Sequence, residues 1–480
     1  MIRASGGWII APGVIAIVRS TTFTLVVAAV CAGISVVYGA GQAVPETLLL
    51  TGARILDARA GRYVDAAAVL VVGDRIEAVL QTAPAATPQG ARRIDLSGKT
   101  LVPGLGDMFA WTAPDGSTDA NFYYAMALAH GVTTCRVIGA RLPWGALQRE
   151  RVRSGEVLAP RLWIGGLRLD QIGEPTLATR RVTDPPSARA AAEEQAALGA
   201  DWLSVSGTTA PDVVRAIVRV ARERKVRVSA EPGATAATEL VRLGVDAIDR
   251  LGIVGRSRDD VERELSARPD YPRDDRDAAV DYLWQRASAA DLKPVIPAAL
   301  RRRLVVIPLL ASYNGTLSAE SVKQDTVLQV LPARWREALQ GRAHPAAWPG
   351  AARAASAAAV RRRLVRDFIT AGARVVTGVD VLSSGYNVPG AGVHRELAML
   401  VAAGLSPADA VRAATVNCAE LVGAGDTLGQ IAAGFKADLI AVDGDPLARV
   451  ADLQRISLVV RGGEVVEREQ LLAQARRAIR

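Results

Sequence analysis

The chain has 480 residues, a net charge of +9, and half of its residues are hydrophobic. That length exceeds one ordinary hydrophobic core, so it predicts a large domain together with a smaller one. The basic residues are dispersed, with short runs only at 301–303 and 361–363, and no aromatic residues interleave with them. This distribution argues against a nucleic-acid partner, which would need a basic patch or a recognisable motif.

The amino-terminal segment predicts export. Arg19 precedes an apolar run over residues 23–38, and small residues follow at 39–43. This order is typical of a secretory signal, and the run is shorter than the roughly 20 residues of a membrane span. We interpret residues 1–43 as a signal peptide or an uncleaved membrane anchor. We therefore expect a periplasmic or extracellular protein that meets a membrane only through this segment.

Short strands separated by turns are predicted near both ends of the exported chain. Residues 67–72 and 75–79 flank a Gly73-Asp74 turn, a pattern typical of a hairpin. Residues 438–442 and 458–466 repeat the pattern. We expect segments 44–104 and 426–480 to pair into one small composite β-sandwich domain.

The middle of the chain, residues 105–425, alternates short apolar runs with helical patterns. The runs lie near 102–109, 132–138, 161–165, 202–206, 226–230, 245–249, 303–310 and 374–379. Eight such runs predict an α/β fold, a (β/α)8 TIM-type barrel. Helical insertions near 255–300 and 311–365 exceed normal connections, so we expect lids or flanking helices there. Ser406, Pro407 and Asp409 predict the start of the last barrel helix.

Barrel enzymes carry their chemistry at the carboxyl ends of the strands. The residues at those ends are the candidate site, and they are Phe109, Trp111, Ser204, Ser206, Glu231, Asp249, Arg250 and Asp380.

Several segments carry a family resemblance. The most specific are LVPGLGDM at 101–108, GVTT at 131–134, GVD at 378–380, HREL at 394–397, AATVN at 413–417 and GFKADL at 434–439. Over residues 48–466 the chain resembles the amidohydrolase superfamily, particularly its imidazolonepropionase-like and prolidase-like members. The resemblance implies hydrolysis of C–N bonds other than ordinary peptide bonds, by zinc or another divalent metal that activates water.

The resemblance also implies a ligand set that this chain lacks. The His-x-His position carries Phe109 and Trp111, and the bridging lysine position carries Ser204. The two remaining histidine positions carry Glu231 and Arg250, and only the aspartate, Asp380, is retained. The chain has three histidines, at 130, 344 and 394, so no shift of alignment supplies the missing ligands. We therefore expect no metal ligands and no cofactor.

Each replacement has two interpretations. Phe109 and Trp111 either fill the barrel or form an aromatic floor for a ligand, and filling is favoured because large aromatic rings contribute mainly through buried area. Ser204 is expected to be a small polar interior residue. We predict that Arg250 occupies the former metal position and pairs with Glu231, Asp380 or both; the alternative is two unrelated strand ends that line a wet cavity.

The remaining candidates are weighed in the same way. Asp380 is either a structural relic or a working acid/base, and the structural role is favoured. His394, near the expected barrel mouth, is interpreted as structural rather than catalytic because no partner lies at a useful spacing. Cys135 and Cys418 lie in apolar stretches, which favours buried, inert thiols over a disulfide.

The leading functional hypothesis is a metal-free relative, a pseudoenzyme that binds a small-molecule ligand or a partner. The competing hypothesis is an active hydrolase with a rebuilt site that uses Asp380, Glu231 and either Asp249 or His394. A third is a subunit that pairs with an intact amidohydrolase paralogue. Homo- and hetero-oligomers both remain open.

Overall fold

The computed structural model describes residues 46–112, 119–172, 175–250, 268–272, 293–313, 351–381 and 387–477, together with the single residues 263, 266, 282, 285, 286 and 337. The predicted signal segment, His344 and most of both predicted insertions lie outside the described residues. Within the part of the chain that is described, no helix is long and apolar enough to cross a membrane.

The described chain begins with seven strands. They are β1 (Thr47–Thr51), β2 (Arg54–Asp57), β3 (Arg62–Val64), β4 (Ala68–Val72), β5 (Arg75–Leu80), β6 (Ala91–Asp95) and β7 (Lys99–Pro103). The predicted hairpin is confirmed, since β4 and β5 pair in antiparallel fashion around Gly73 and Asp74.

Helices separate most of the next ten strands. The strands are β8 (Leu105–Ala110), β9 (Val132–Val137), β10 (Arg161–Ile164), β11 (Arg168–Asp170), β12 (Thr179–Arg181), β13 (Trp202–Val205), β14 (Arg227–Ala230), β15 (Ala247–Asp249), β16 (Val305–Ile307) and β17 (Arg374–Val375). The helices are α1 (Asp119–Ala129), α2 (Trp144–Arg153), α3 (Pro185–Ala197), α4 (Pro211–Arg224), α5 (Ala237–Leu243), α6 (Val295–Arg301) and α7 (Ala351–Thr370).

The last elements are α8 (Ala391–Ala402), α9 (Pro407–Ala414), α10 (Val416–Leu421), β18 (Leu439–Asp443), β19 (Ile456–Arg461), β20 (Glu464–Val466) and α11 (Arg468–Arg477). Short 3-10 helices lie at Leu310–Tyr313 and Val450–Gln454. The predicted start of α9 is confirmed: the Ser406 hydroxyl accepts a hydrogen bond from the Asp409 amide, and Pro407 follows the cap.

Two sheets form the smaller β portion. One has the order β5-β4-β1-β6, and the other has the order β20-β19-β18-β7-β2-β3. Strand β18 lies antiparallel to β7, so strands from both ends of the described chain share one sheet, as the sequence predicted. Buried apolar residues from both sheets form one cluster that includes Leu48, Val69, Leu101 and Leu439.

Parallel strands form the larger portion. Their orders are β10-β9-β8 and β12-β11-β13-β14-β15-β16-β17. A parallel bridge between Gly165 and Trp202 connects the two groups. At the other side the Met108 amide donates to the Thr377 carbonyl at 2.9 Å, which brings β8 beside the chain that follows β17. This α/β arrangement with an additional β portion is the fold class that the sequence predicted, consistent with a TIM-type barrel.

Candidate functional site

Three predicted site residues follow parallel strands of one sheet. Glu231 comes directly after β14, Arg250 comes directly after β15, and Asp380 lies beyond β17. Parallel strands end at the same edge of a sheet, so their following residues converge there. The structure brings all three together.

An alternating row of charges joins these residues. Arg250 donates a hydrogen bond to Asp380, and its other terminal nitrogen lies 3.6 Å from Glu231 Oε1. Glu231 in turn accepts a hydrogen bond from Arg168 at the start of β11. We call these four residues the strand-end chain. The predicted pairing of Arg250 with Glu231 and Asp380 is therefore present.

The strand-end chain is partly open to solvent. The side chains of Arg168 and Arg250 are 17 % exposed and that of Glu231 is 20 % exposed, whereas that of Asp380 is 1 % exposed. Two guanidinium groups face two carboxylates, so the charges balance. A carboxylate that is paired with guanidinium groups is held in a defined orientation and accepts hydrogen bonds only.

Arg250 has an unusual backbone. Its φ of +62° lies in the left-handed region, which costs a non-glycine residue on the order of 1–3 kcal/mol. The Arg250 amide donates to the Ile307 carbonyl at 2.9 Å, and its guanidinium carbon lies 5.6 Å from the centre of the Phe109 ring. Such strain persists only where the surroundings fix it, so Arg250 is held in a specific position.

The main chain around Asp380 is also fixed by hydrogen bonds. The Asp380 amide donates to Ser312 Oγ at 3.3 Å. Asn387 Nδ2 donates both to Ser312 Oγ, at 3.2 Å, and to the Asp380 carbonyl, at 3.1 Å. The buried carboxylate therefore projects from a backbone that is tied to two neighbouring loops.

Phe109 and Trp111 differ in their surroundings. The Phe109 ring is buried with Met108, Ile307 and other apolar residues, whereas Trp111 is only partly buried. The two rings meet edge to face, with centroids 6.0 Å apart. Close packing continues at Gly378, where a Cβ would come within 2.4 Å of Ile307. This packing favours the interpretation of Phe109 as a residue that fills the barrel.

A second polar group lies deeper in the fold. The Arg136 side chain is fully buried and donates to Asp249 Oδ1 at 2.5 Å, to Ser229 Oγ at 2.6 Å and to the Met108 carbonyl at 2.7 Å. Ser229 also donates to Asp249 Oδ2 at 2.5 Å and lies 3.5 Å from Ser204 Oγ. We call Arg136, Asp249, Ser229 and Ser204 the interior cluster.

The interior cluster changes how two predicted site residues are understood. Asp249 and Ser204 were grouped with Arg250 on sequence grounds, but their side-chain hydrogen bonds lie within the interior cluster, and both side chains are buried. Arg136, Arg168 and Ser229 were missed. A signal for Arg136 was present, because an arginine within the buried run VTTCRV needs an acidic partner.

Two further carboxyl groups are completely buried nearby. Asp107 accepts hydrogen bonds from the Tyr123 hydroxyl and from the amides of Phe109 and Val379, but burial still raises its pKa to about 6. Glu396 accepts from the amides of Leu310 and Ala311, and burial raises its pKa to about 7. Glu396 thereby holds the 3-10 turn that carries Ser312.

His394 lies in α8, and its Nε2 is 2.9 Å from the carbonyl oxygen of His130. Burial lowers the pKa of each of these two histidines to about 4. A neutral ring that donates to a main-chain carbonyl fits the structural interpretation of His394.

Cys135 and Cys418 are both free and buried. Burial raises the pKa of both thiols, that of Cys418 to about 12. The prediction of buried thiols without a disulfide is confirmed.

Within the described residues, no group of three or more His, Cys, Asp or Glu side chains is arranged to hold a metal ion.

Comparisons with known proteins identify relatives of the sequence and of the fold. Residues 326–466 match the amidohydrolase family. The fold is similar to that of a proposed prolidase from Bifidobacterium longum, with a TM-score of 0.67, 22% identity, and coverage of 90% of this chain and 100% of that one. It is also similar to a bottromycin amidohydrolase, with a TM-score of 0.66, 23% identity, and coverage of 90% and 91%.

A third similar structure is a Xaa-Pro dipeptidase with bound methionine, with a TM-score of 0.64, 19% identity, and coverage of 88% of this chain and 100% of that one. A search of curated protein sequences found no match.

Proposed function

We propose that this chain, which carries an amidohydrolase domain on the fold of prolidase-like amidohydrolases, has lost the metal-dependent hydrolysis of that family. In this proposal it is an exported, metal-free protein that binds a small-molecule ligand at the carboxyl ends of its parallel strands. An intact amidohydrolase paralogue is the alternative partner.

The observation that carries the proposal is the position of Arg250. The family resemblance assigns metal ligands to the positions of Glu231, Arg250 and Asp380. In this chain the Arg250 guanidinium contacts both carboxylates. A divalent cation at that place would meet a fixed positive charge, and the carboxylates would have to exchange a guanidinium partner for the metal. The described residues are therefore a poor fit for the ion.

The competing idea of a rebuilt acid/base pair finds less support. Its additional members were Asp249 and His394. Asp249 is hydrogen-bonded to Arg136 and Ser229, and His394 lies against the main chain of His130. A general base has to reach the proton that it abstracts, directly or through one water. Both side chains are instead engaged in buried contacts.

Metal analysis of the full purified chain tests the proposal. The protein would be incubated with Zn²⁺, Mn²⁺ or Fe²⁺ in separate samples, desalted, and analysed for bound metal by mass spectrometry. The same samples would be assayed against amides, dipeptides and lactams, with a metal-loaded prolidase as the positive control. We expect substoichiometric metal and no turnover.

Stoichiometric metal together with hydrolysis would overturn the proposal. Hydrolysis without metal would replace it with the rebuilt-site alternative. A further variant, Arg250→Ala, isolates the guanidinium: we expect it to bind divalent cations more tightly than the wild type does, because it leaves Glu231 and Asp380 without that positive charge.

A further inference from the structure

We infer a docking surface for an anionic phospholipid membrane at the amino-terminal edge of the parallel strands, opposite the edge that carries the strand-end chain. Three neighbouring parallel strands, β14, β15 and β16, begin at this edge. The helices that precede them, α4, α5 and α6, end there. Exposed basic residues at the ends of α4 and α6 form what we call the amino-edge surface, and they are Arg222, Arg224, Lys225, Arg301, Arg302 and Arg303. This contact is separate from the one predicted for residues 1–43.

The charges of the amino-edge surface are not matched by carboxylates. Within the described part of the chain, none of its six side chains forms an ion pair. Two exposed acidic residues belong to the same edge: Glu223, which is paired with Arg189, and Asp246, which accepts a hydrogen bond from the Val228 amide. The three helix ends add roughly −1.5 charges in total. The six cations therefore still leave a positive surface.

Two of these guanidinium groups are held side by side at the end of α5. Arg222 Nη2 donates to the Leu243 carbonyl at 2.6 Å. Arg302 Nη2 donates to the Arg242 carbonyl at 3.5 Å. A Cβ on Gly244 would contact both guanidinium groups, so the two cations are neighbours. A carbonyl oxygen carries only a partial charge, and a phosphate group that approached the pair would form charge-assisted hydrogen bonds with both.

The form of the surface favours a membrane over a small anion or a nucleic acid. Its charges come from the ends of helices on neighbouring strands and are exposed, so they are spread over an area. About six clustered Lys and Arg side chains are typical of surfaces that bind anionic phospholipid headgroups. Leu300, which is 39% exposed beside Arg301, adds an apolar contact. Residues 222–225, 242–246 and 300–303 include no aromatic residue on which nucleic-acid bases could stack.

Co-sedimentation of the full chain with phospholipid vesicles at low salt tests this surface. One set of vesicles is phosphatidylcholine, and the other is an equimolar mixture of phosphatidylcholine and phosphatidylglycerol. We expect tighter binding to the anionic set. Equal affinity for the two sets would contradict the proposal.

A triple variant removes half of the charges. In Arg224→Gln, Arg301→Gln, Arg303→Gln, the replaced side chains form no hydrogen bond or ion pair within the described residues, so we expect the fold to be retained. Circular dichroism checks this. Affinity for the anionic vesicles should fall by about fivefold for each charge removed, or roughly 100-fold together. Arg301→Gln alone should give a loss of about fivefold.

The matched control replaces three exposed arginines elsewhere: Arg62→Gln, Arg141→Gln, Arg476→Gln. It lowers the net charge equally and keeps the N-terminal segment, so its affinity should stay within about twofold of that of the wild type, since distant charges are screened. Equal losses in the two triple variants would show general attraction to a basic protein and refute the surface.

A mixed-sequence DNA duplex is the competing probe. If the full chain bound the duplex more tightly than the anionic vesicles, and the first triple variant abolished that binding, the surface would belong to nucleic acid and the membrane proposal would be wrong. The outcome is independent of the metal analysis, because the strand-end chain lies at the other edge of the strands.

Discussion

The interior cluster and the strand-end chain are built from similar ion pairs but lie in different environments. Arg136 is 0% exposed and its partner Asp249 is 6% exposed, so the interior cluster is sealed. The side chains of Arg250 and Glu231, at 17% and 20%, reach solvent. A sealed pair cannot exchange its partners for water or ligand, whereas a partly open one can. The difference is why we propose ligand binding at the strand-end chain and expect the interior cluster to stabilise the fold.

Removing Arg136 should give the largest effect. Arg136→Met leaves Asp249 buried without its guanidinium, and we expect the free energy of unfolding to fall by about 3–5 kcal/mol. Urea denaturation measures it. The double variant Arg136→Met with Asp249→Leu should recover part of the loss, because it removes the stranded charge. If Arg136→Met lowered the free energy of unfolding by less than the removal of an exposed arginine does, the two regions would not differ in the way described.

Removing Arg250 should cost less. Arg250→Met leaves Asp380 and Glu231 without the Arg250 guanidinium, but solvent reaches the strand-end chain. We therefore expect the free energy of unfolding to fall by about 2–3 kcal/mol in the same assay. The matched control is Arg224→Met at the exposed end of α4, which should change stability little. If Arg250→Met proved as costly as Arg136→Met, the strand-end chain would be as structural as the interior cluster.

The pH dependence of stability probes the sealed interior. Burial raises the pKa of Glu396 from 4.5 to about 7, so the folded state binds this proton more tightly than the unfolded state does. The stabilisation that the folded state gains from this proton is complete below pH 4.5 and is lost as the pH rises to about 7. Relative to Glu396→Gln, the wild type should lose on the order of 3 kcal/mol across that window.

Urea denaturation of both proteins at a series of pH values measures this difference. The histidines act in the opposite direction, since their lowered pKa values remove stability as the pH falls, and the paired comparison cancels that contribution. Identical pH profiles for the two proteins would show that Glu396 is not protonated in the fold near neutral pH.

The smallest expected effect is at Arg168, the outer end of the strand-end chain. Arg168→Gln removes one partner of Glu231 but leaves Arg250, so we expect a loss of about 1 kcal/mol or less that shrinks with added salt. Denaturation at low and high salt measures it. A loss that salt does not change would mean that Arg168 is shielded like Arg136.

Much of this architecture could be predicted because parallel strands are buried on both faces and leave apolar runs in the sequence. Glu231, Arg250 and Asp380 were predicted as strand-end residues for the same reason. Arg168 was missed because it begins β11, and none of the strands predicted from the sequence covers residues 168–170. The left-handed backbone of Arg250 could not be predicted either, since a sequence suggests that conformation chiefly for glycine or asparagine.

The pairing of β7 with β18 has a consequence for folding. Lys99 and Asp443 are register partners in that ladder, and their side chains form an ion pair at 2.6 Å. A ribosome makes β7 more than 300 residues before its partner, as their numbering shows. Contacts so distant in the chain close slowly, because a long loop must be ordered first. The edge of β7 that pairs with β18 therefore stays without that partner until synthesis is almost finished.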